Sequence, residues 1–388
     1  MPPQNSDVPN TMDTAPESAP PEQNKKPGRS LSPLALVIFL ALISAGAGLY
    51  WYTSSSGEKA AVSEKMRVIG ILYYPQQTDA VIGFKQGMEK LGYKEGVNVR
   101  YDSAKVVVGP TMMDEFTAAV DRMIQAKEDM IYVTFENQAE VALRETKKFA
   151  PDMPVVFITR FHDPVEYGLI DSYKSSGNNS TGVATNVSET VGRTLGFFKE
   201  IRPDLKKVGV FTDGFMVGDI GGAYLIELRK QAPRFGIEIV EYKTTAPPPE
   251  AEAEFQRVAA AIMPGDIDGL FHIAGHFIGP QETLESELAI RLKIPMSAPN
   301  EDLPNGGTFS YSDLASVAGE QAAVLADKIF KGTKPADIPI AFIAKSELSL
   351  VLERARDAGV TFPDSMLYIA DNKYESSASF PPALHDRE

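Results

Sequence analysis

From Met66 onward, short β-branched and aromatic runs alternate along this chain with segments of helical periodicity. Such alternation is the signature of βαβ units and a parallel sheet, which restricts the chain to an α/β architecture. Arg67 to Tyr74, "RVIGILYY", is the first predicted strand. Ala80 to Leu91 follows with Val81, Phe84, Met88 and Leu91 at helical spacing, and Gly92 stops it. The pattern continues through strand "VNVRYDSA", helix Thr111 to Ala126, strand "MIYVTF", helix Gln138 to Phe149 and strand "PVVFIT". It then begins again, with predicted helices at Glu189 to Ile201, Ala223 to Phe235, Glu250 to Ile262 and Gln281 to Leu292. Between these helices lie the strands "KKVGVFT", "IEIVEYK", "GLFHIA" and "IPMSAP". Two doubly wound halves predict a bilobal molecule, with crossings expected near Gly182 to Asn186, Thr308 to Tyr311 and Ile338 to Ala344.

The 388 residues exceed one compact core and suit two lobes. A formal net charge of -14 argues against nucleic acid as a partner, because that binding needs clustered Lys and Arg to displace counterions. The absence of cysteine excludes disulfides, thiolate metal sites and a Cys nucleophile.

Residues 1–30 are rich in Pro, Ser, Asn, Gln and Glu and are expected to be a disordered tail. Within 31–52, the uncharged run "LALVIFLALISAGAGLYWY" reaches the length of about twenty residues that crosses a bilayer as a helix. Lys25, Lys26 and Arg29 precede it, and Tyr50, Trp51 and Tyr52 close it as an interfacial cluster. The positive-inside rule then places the tail in the cytoplasm and the main domain outside a bacterial cell membrane. The other reading of 31–52 is a cleaved signal sequence, with Ala45-Gly46-Ala47 as the small-residue site. In either case the main domain is exported, and 53–65 reads as a tether.

Four stretches carry a resemblance: "GFKQGMEKLGYKEGVNV", "DPVEYGLIDSYKSSGNNSTGV", "RTLGFFKEIRPDLKKVGVF" and "ADKIFKGTKPADIPI". In that order they resemble the successive signatures of the ABC transporter substrate-binding family typified by tryptophan- and tyrosine-uptake receptors. The similarity runs from about Arg67 to Asn372. It implies a type I periplasmic-binding-protein fold, with two parallel-sheet lobes joined by a three-strand hinge and a ligand in the cleft. Lobe 1 is then expected over 66–183 and 312–337, and lobe 2 over 187–307 and 345–375. Residues 376–388 are left as a flexible tail. The exported part is expected to be monomeric, with ABC permease subunits as membrane partners.

In open parallel sheets, ligands sit beyond the carboxyl ends of the strands, where helix N-termini present unpaired N–H groups. The first such loop offers Tyr73, Tyr74, Gln76 and Thr78, and the third offers Thr134, Phe135, Glu136 and Asn137. Asn137 is equally suited to be only an N-cap. The fourth offers Arg160 and Phe161, while the resemblance gives Asp163-Pro164-Val165 a scaffold role. In the second half the corresponding candidates are Asp213 and Phe215, His276 and Phe277, and Asn300 and Glu301. An amino-acid receptor needs donors for a carboxylate, acceptors for an ammonium and a side-chain pocket. Arg160 and Thr134 supply donors, and Glu136, Asp213 and Glu301 supply acceptors. Tyr73, Phe135 and Phe277 supply apolar walls.

Several tempting motifs do not hold. Gly214, Gly218, Gly221 and Gly222 lack dinucleotide spacing, and His272 with His276 lacks the metalloprotease carboxylate. Gly332-Thr333-Lys334 has the order of a phosphate loop reversed and reads as a helix stop, with Pro335 preventing resumption. Asn178 and Asn179 read as turn residues. With no Gly-x-Ser-x-Gly elbow, no cysteine and no zinc helix, an enzyme is disfavoured, and no cofactor or metal is expected. Two functions remain: a solute receptor that closes its lobes and presents them to an ABC permease, or a membrane-anchored sensor for a signalling partner.

Overall fold

The computed structural model describes residues 66–107, 109–213, 220–246, 250–273 and 281–381. The N-terminal tail, the apolar run and the tether lie outside the described residues, as do Phe215, His276, Phe277 and the side chain of Asp213. Among the described residues, no helix is long and apolar enough to cross a membrane.

The first lobe runs β1 (Arg67–Tyr73), α1 (Thr78–Lys90), β2 (Val99–Lys105), α2 (Met112–Gln125), β3 (Met130–Val133), α3 (Glu136–Phe149), β4 (Val155–Thr159) and β5 (Ser180–Ala184). The second runs α4 (Val187–Ile201), β6 (Lys207–Asp213), α5 (Ile220–Gln231), β7 (Glu238–Thr244), α6 (Ala251–Ala261), β8 (Gly269–Phe271), α7 (Gln281–Leu292), β9 (Met296–Ser297) and β10 (Phe309–Asp313). The chain then returns through α8 (Ala315–Phe330) and β11 (Ala341–Phe342). It finishes with β12 (Ser346–Val351), α9 (Leu352–Asp357), α10 (Asp364–Ile369) and β13 (Asn372–Tyr374).

These strands form two sheets, ordered β11-β5-β4-β3-β1-β2 and β13-β12-β10-β9-β8-β6-β7. The central strands β3, β4 and β5 are buried along their whole length, as expected of parallel strands covered on both faces. One face of the first sheet packs Phe116, Met123 and Val141 from α2 and α3, and the other packs Phe84, Ala318 and Ala322 from α1 and α8.

The chain crosses between the sheets three times, at 184–187, 313–315 and 342–346. The second crossing falls later than the sequence suggests, because the β10 register runs on through Ser312↔Glu347 and Asp313↔Ser346. Ser312 and Asp313 therefore belong to the second sheet. That register is also antiparallel, so the second sheet departs from an all-parallel one. The cause is topological. β10 ends where the chain leaves the lobe, and β12 begins where it comes back, so β12 must run the other way.

Helix α8 leaves the second sheet but docks on the first lobe through very small residues. A Cβ on Gly319 would stand 2.1 Å from the Ala80 carbonyl oxygen, and one on Gly83 would stand 2.1 Å from that of Ser316. The helix stops at Gly332, where φ is +98°. Thr333 N–H bonds to Lys328 O at 3.0 Å and Gly332 N–H to Ile329 O at 2.9 Å, a Schellman ending and not a phosphate cradle. At the other end of the chain, residues 376–380, assigned above to a flexible tail, form a capped 3₁₀ turn. Phe380 stacks on Tyr374 with ring centroids 4.0 Å apart, and Arg354 donates to Ser377 Oγ at 2.8 Å.

Candidate functional site

The carboxyl ends of β4, β8, β9 and β10 converge on a cavity of about 50 Å³. One water needs roughly 10–15 Å³, so the cavity has room for a few waters. Arg160 and Phe161 reach it from the first lobe, and Thr185 from the first crossing. The second lobe contributes Thr190, Tyr224, Phe271, His272, Ser297, Tyr311 and Asp313, among others.

The loop after β4 is held by Glu136. One carboxylate oxygen of this buried residue accepts backbone N–H bonds from Arg160 at 2.7 Å, Phe161 at 2.5 Å and His162 at 2.9 Å. Three charge-assisted bonds to one loop fix where Arg160 and Phe161 can stand. Glu136 was a candidate acceptor for a ligand, but through this oxygen it organises the protein itself.

Arg160 in turn reaches across to the second lobe and donates from Nη2 to Glu301 Oε1 at 2.5 Å. Its Nη1 is buried and has no hydrogen-bond partner among the described residues. Burial works against the charged guanidinium, but Glu301 outweighs it and holds the pKa above the ordinary arginine value. Phe161 meets Tyr224 of the second lobe at 5.1 Å in an edge-to-face pair. Tyr224 is likewise raised, chiefly by burial.

His272 is buried between two carboxylates, with Nδ1 2.9 Å from Glu285 and Nε2 3.4 Å from Asp302. Burial alone would lower its pKa, yet the two acidic neighbours lift it to about 10. The two carboxylates thus favour the protonated ring. No cluster of three or more metal-ligating residues occurs among the described residues.

Of the residues singled out from the sequence, Arg160 and Phe161 line the cavity and Glu301 bonds to Arg160. Asn300 is adjacent, with its backbone N–H on Ser312 Oγ at 3.0 Å and its Nδ2 buried without a partner among the described residues. The others sit elsewhere. Tyr74 is 5% exposed in the first lobe's core, where its hydroxyl accepts from Asn137 at 2.7 Å and its ring packs edge-on against Phe116 and Phe135. Burial pushes its pKa up to about 12. Tyr73 packs half-buried against the core on the other face of that sheet. Thr134 bonds to Gln138, Thr78 bonds back to Pro75 O at 2.7 Å, and Gln76 faces solvent. Asp163 accepts from the backbone of Val165 and Glu166, which is the scaffold role the resemblance implied.

Sequence reasoning missed Thr185, Thr190, Tyr224, Tyr311 and Asp313, and considered His272 only as a metal ligand. One signal was present: Thr190 and Thr194 stand one turn apart at the start of α4, the helix that follows the first crossing.

A family model for the ABC transporter substrate binding protein matches residues 65–374. A tyrosine-binding protein of Clostridioides difficile (strain R20291) is 26% identical over 336 residues, covering 84% of this chain and 91% of that protein. Among solved structures, a conserved domain protein of Vibrio cholerae O1 biovar El Tor superposes with a TM-score of 0.67 at 20% identity, covering 80% of this chain and all of that one. An ABC domain in complex with L-Trp from Streptococcus pneumoniae superposes with a TM-score of 0.65 at 18% identity, again covering 80% of this chain and all of that one. With four ordered signatures, two α/β lobes around a cavity and a family match over nearly all of the described region, this chain belongs to the ABC transporter substrate-binding protein family, whose members are solute-binding proteins and not enzymes.

Proposed function

We propose that this chain is the extracytoplasmic receptor of an ABC uptake system and that its ligand is an aromatic L-amino acid held between the two lobes. The observation that carries this reading is Arg160. Arg160 lines the cavity, its guanidinium spends one nitrogen on Glu301, and a second, buried nitrogen has no partner among the described residues. A planar donor in this position suits a carboxylate. Phe161, Tyr224, Phe271 and Tyr311 give the same cavity aromatic walls, and lobe 2 supplies acidic groups for an ammonium. The tyrosine-binding relative and the neighbour bound to L-Trp support the same ligand class.

Closure follows from where the contacts lie. The Arg160–Glu301 ion pair and the Phe161–Tyr224 pair each need both lobes, so they exist only when the cleft is shut. A ligand that touches both sides adds to them and shifts the open–closed equilibrium by its differential affinity. The run over 34–52 is read as a retained anchor that keeps the receptor beside permease subunits in a bacterial cell membrane.

Calorimetric titration of the purified full chain with L-tyrosine, L-tryptophan, L-leucine and D-glucose tests the reading. The expected result is binding of at least one aromatic amino acid, weakened roughly 30-fold or more by Arg160→Met, since a charged hydrogen bond contributes about 2 kcal/mol. Binding of none of the amino acids would overturn it.

A further inference from the structure

Asp313 stands at an unusual junction. It closes β10, is only 8% exposed and lines the cavity. Its Oδ1 accepts from Ser346 Oγ at 2.5 Å, and Thr185 lines the same cavity. Thr185 belongs to the first crossing, Asp313 to the second and Ser346 to the third. The carboxylate thus links the second and third crossings and shares a cavity with the first.

The charge count around it is incomplete. No cation is bonded to Asp313 among the described residues, and Arg160, which acts on it only through space, is already paired with Glu301. Burying a carboxylate without a bonded counter-charge is costly, and a cationic group entering the cavity would relieve that cost. The hydroxyl bond from Ser346 orients the carboxylate but carries no positive charge.

We infer that Asp313 is the group that reads the ammonium of the bound amino acid and that, through Ser346, it couples occupancy to the geometry of the second and third crossings. This rests on the amino-acid reading above and adds to it a specificity-determining residue and a route from ligand to lobe motion. Ligand ammonium on Asp313 would complete the charge balance, and the Ser346 bond would hold the second and third crossings in the closed arrangement. Asp313 contacts the ligand, whereas Ser346 acts as a positioning residue.

The test compares wild type, Asp313→Asn and Ser346→Ala in the full chain with two probes, L-tyrosine and 3-(4-hydroxyphenyl)propionate, which lacks the ammonium. Because the chain has no cysteine, spin labels at Lys94→Cys and Lys230→Cys, one in each lobe, report the interlobe distance without background labelling. Wild type is expected to prefer L-tyrosine, and Asp313→Asn to shrink that preference at least tenfold, about 1.4 kcal/mol. Ser346→Ala is expected to keep the preference. Both variants are expected to broaden the ligand-free distance distribution. An unchanged preference in Asp313→Asn overturns the ammonium assignment while leaving the amino-acid reading intact. If wild type binds neither probe, L-tryptophan and 3-(indol-3-yl)propionate take their place; if it binds neither of these as well, the amino-acid reading and the ammonium assignment both fall, and the distances alone judge the coupling. Distance distributions that match wild type in both variants overturn the coupling.

Discussion

Glu128 shows how one residue can set a pH response far from any ligand. It is 5% exposed, and a Cβ on the neighbouring strand residue Gly70 would stand 2.4 Å from its carboxyl, so a larger residue there would have to displace the Glu128 side chain. Burial, followed by the adjacent Asp102 carboxylate, raises its pKa to about 8 from an ordinary value of 4.5. Because the folded value lies above the unfolded one, the folded state binds this proton more tightly. Its contribution is complete below about pH 4.5 and is lost as pH rises through about 8. Glu128→Gln keeps the shape without the charge. Thermal unfolding across pH should therefore show the variant matching wild type near pH 5 and exceeding it by roughly 2–5 °C near pH 9. A constant difference across that range would show that Glu128 does not titrate in this way. The sequence marks Glu128 as an ordinary loop acid before a strand. Nothing local to it predicts its burial, because that comes from Met123 and β1 folding over it.

Among elements, the pairing of α1 with α8 decides the architecture. Their contact face carries Ala80, Gly83 and Gly87 on one helix and Gly319, Ala322 and Ala323 on the other. The backbones approach so closely that there is no room for larger side chains. Gly319→Val should cost about 1–3 kcal/mol through overpacking, seen as a lower denaturant midpoint with an unchanged slope. A midpoint within error of wild type would mean that the helices separate without penalty. Most elements were legible beforehand, since strand and helix periods are local properties of the chain. The boundaries of α3 and α4 start two residues earlier than their sequence patterns, at Glu136 and Val187. For α4 the reason is Asn186, whose side chain caps Glu189 N–H at 3.2 Å. The strand β12 was not legible as antiparallel, because its direction is set by the return from the other lobe and not by its own residues.

At the scale of the whole molecule, the lobes meet through Arg160, Phe161, Tyr224 and Glu301, while the apolar run 34–52 is proposed to hold the chain at a membrane. If that anchor is retained, the full chain should remain in the membrane fraction after alkaline washing and copurify with permease subunits in mild detergent. A soluble mature protein beginning after residue 52 would instead identify 31–52 as a cleaved signal sequence. Recovery of a signalling protein in place of permease subunits would favour the sensor role.

The sequence by itself determined the two α/β halves, the helix stop at Gly332 and the strand ends at which a site had to be sought. These follow from periodicity, backbone conformation and turn chemistry, all of which act over a few residues. Only the tertiary structure decided which loop residues serve the site. Tyr74 and Glu136 stand at strand ends where ligand contacts are expected, yet packing turned them into core and scaffold. Thr185, Asp313 and Ser346 are far apart in the chain and meet only because three crossings pass through one place. Burial and charge pairing depend on such long-range neighbours, so the chemistry of the cavity is set once the lobes have folded against each other.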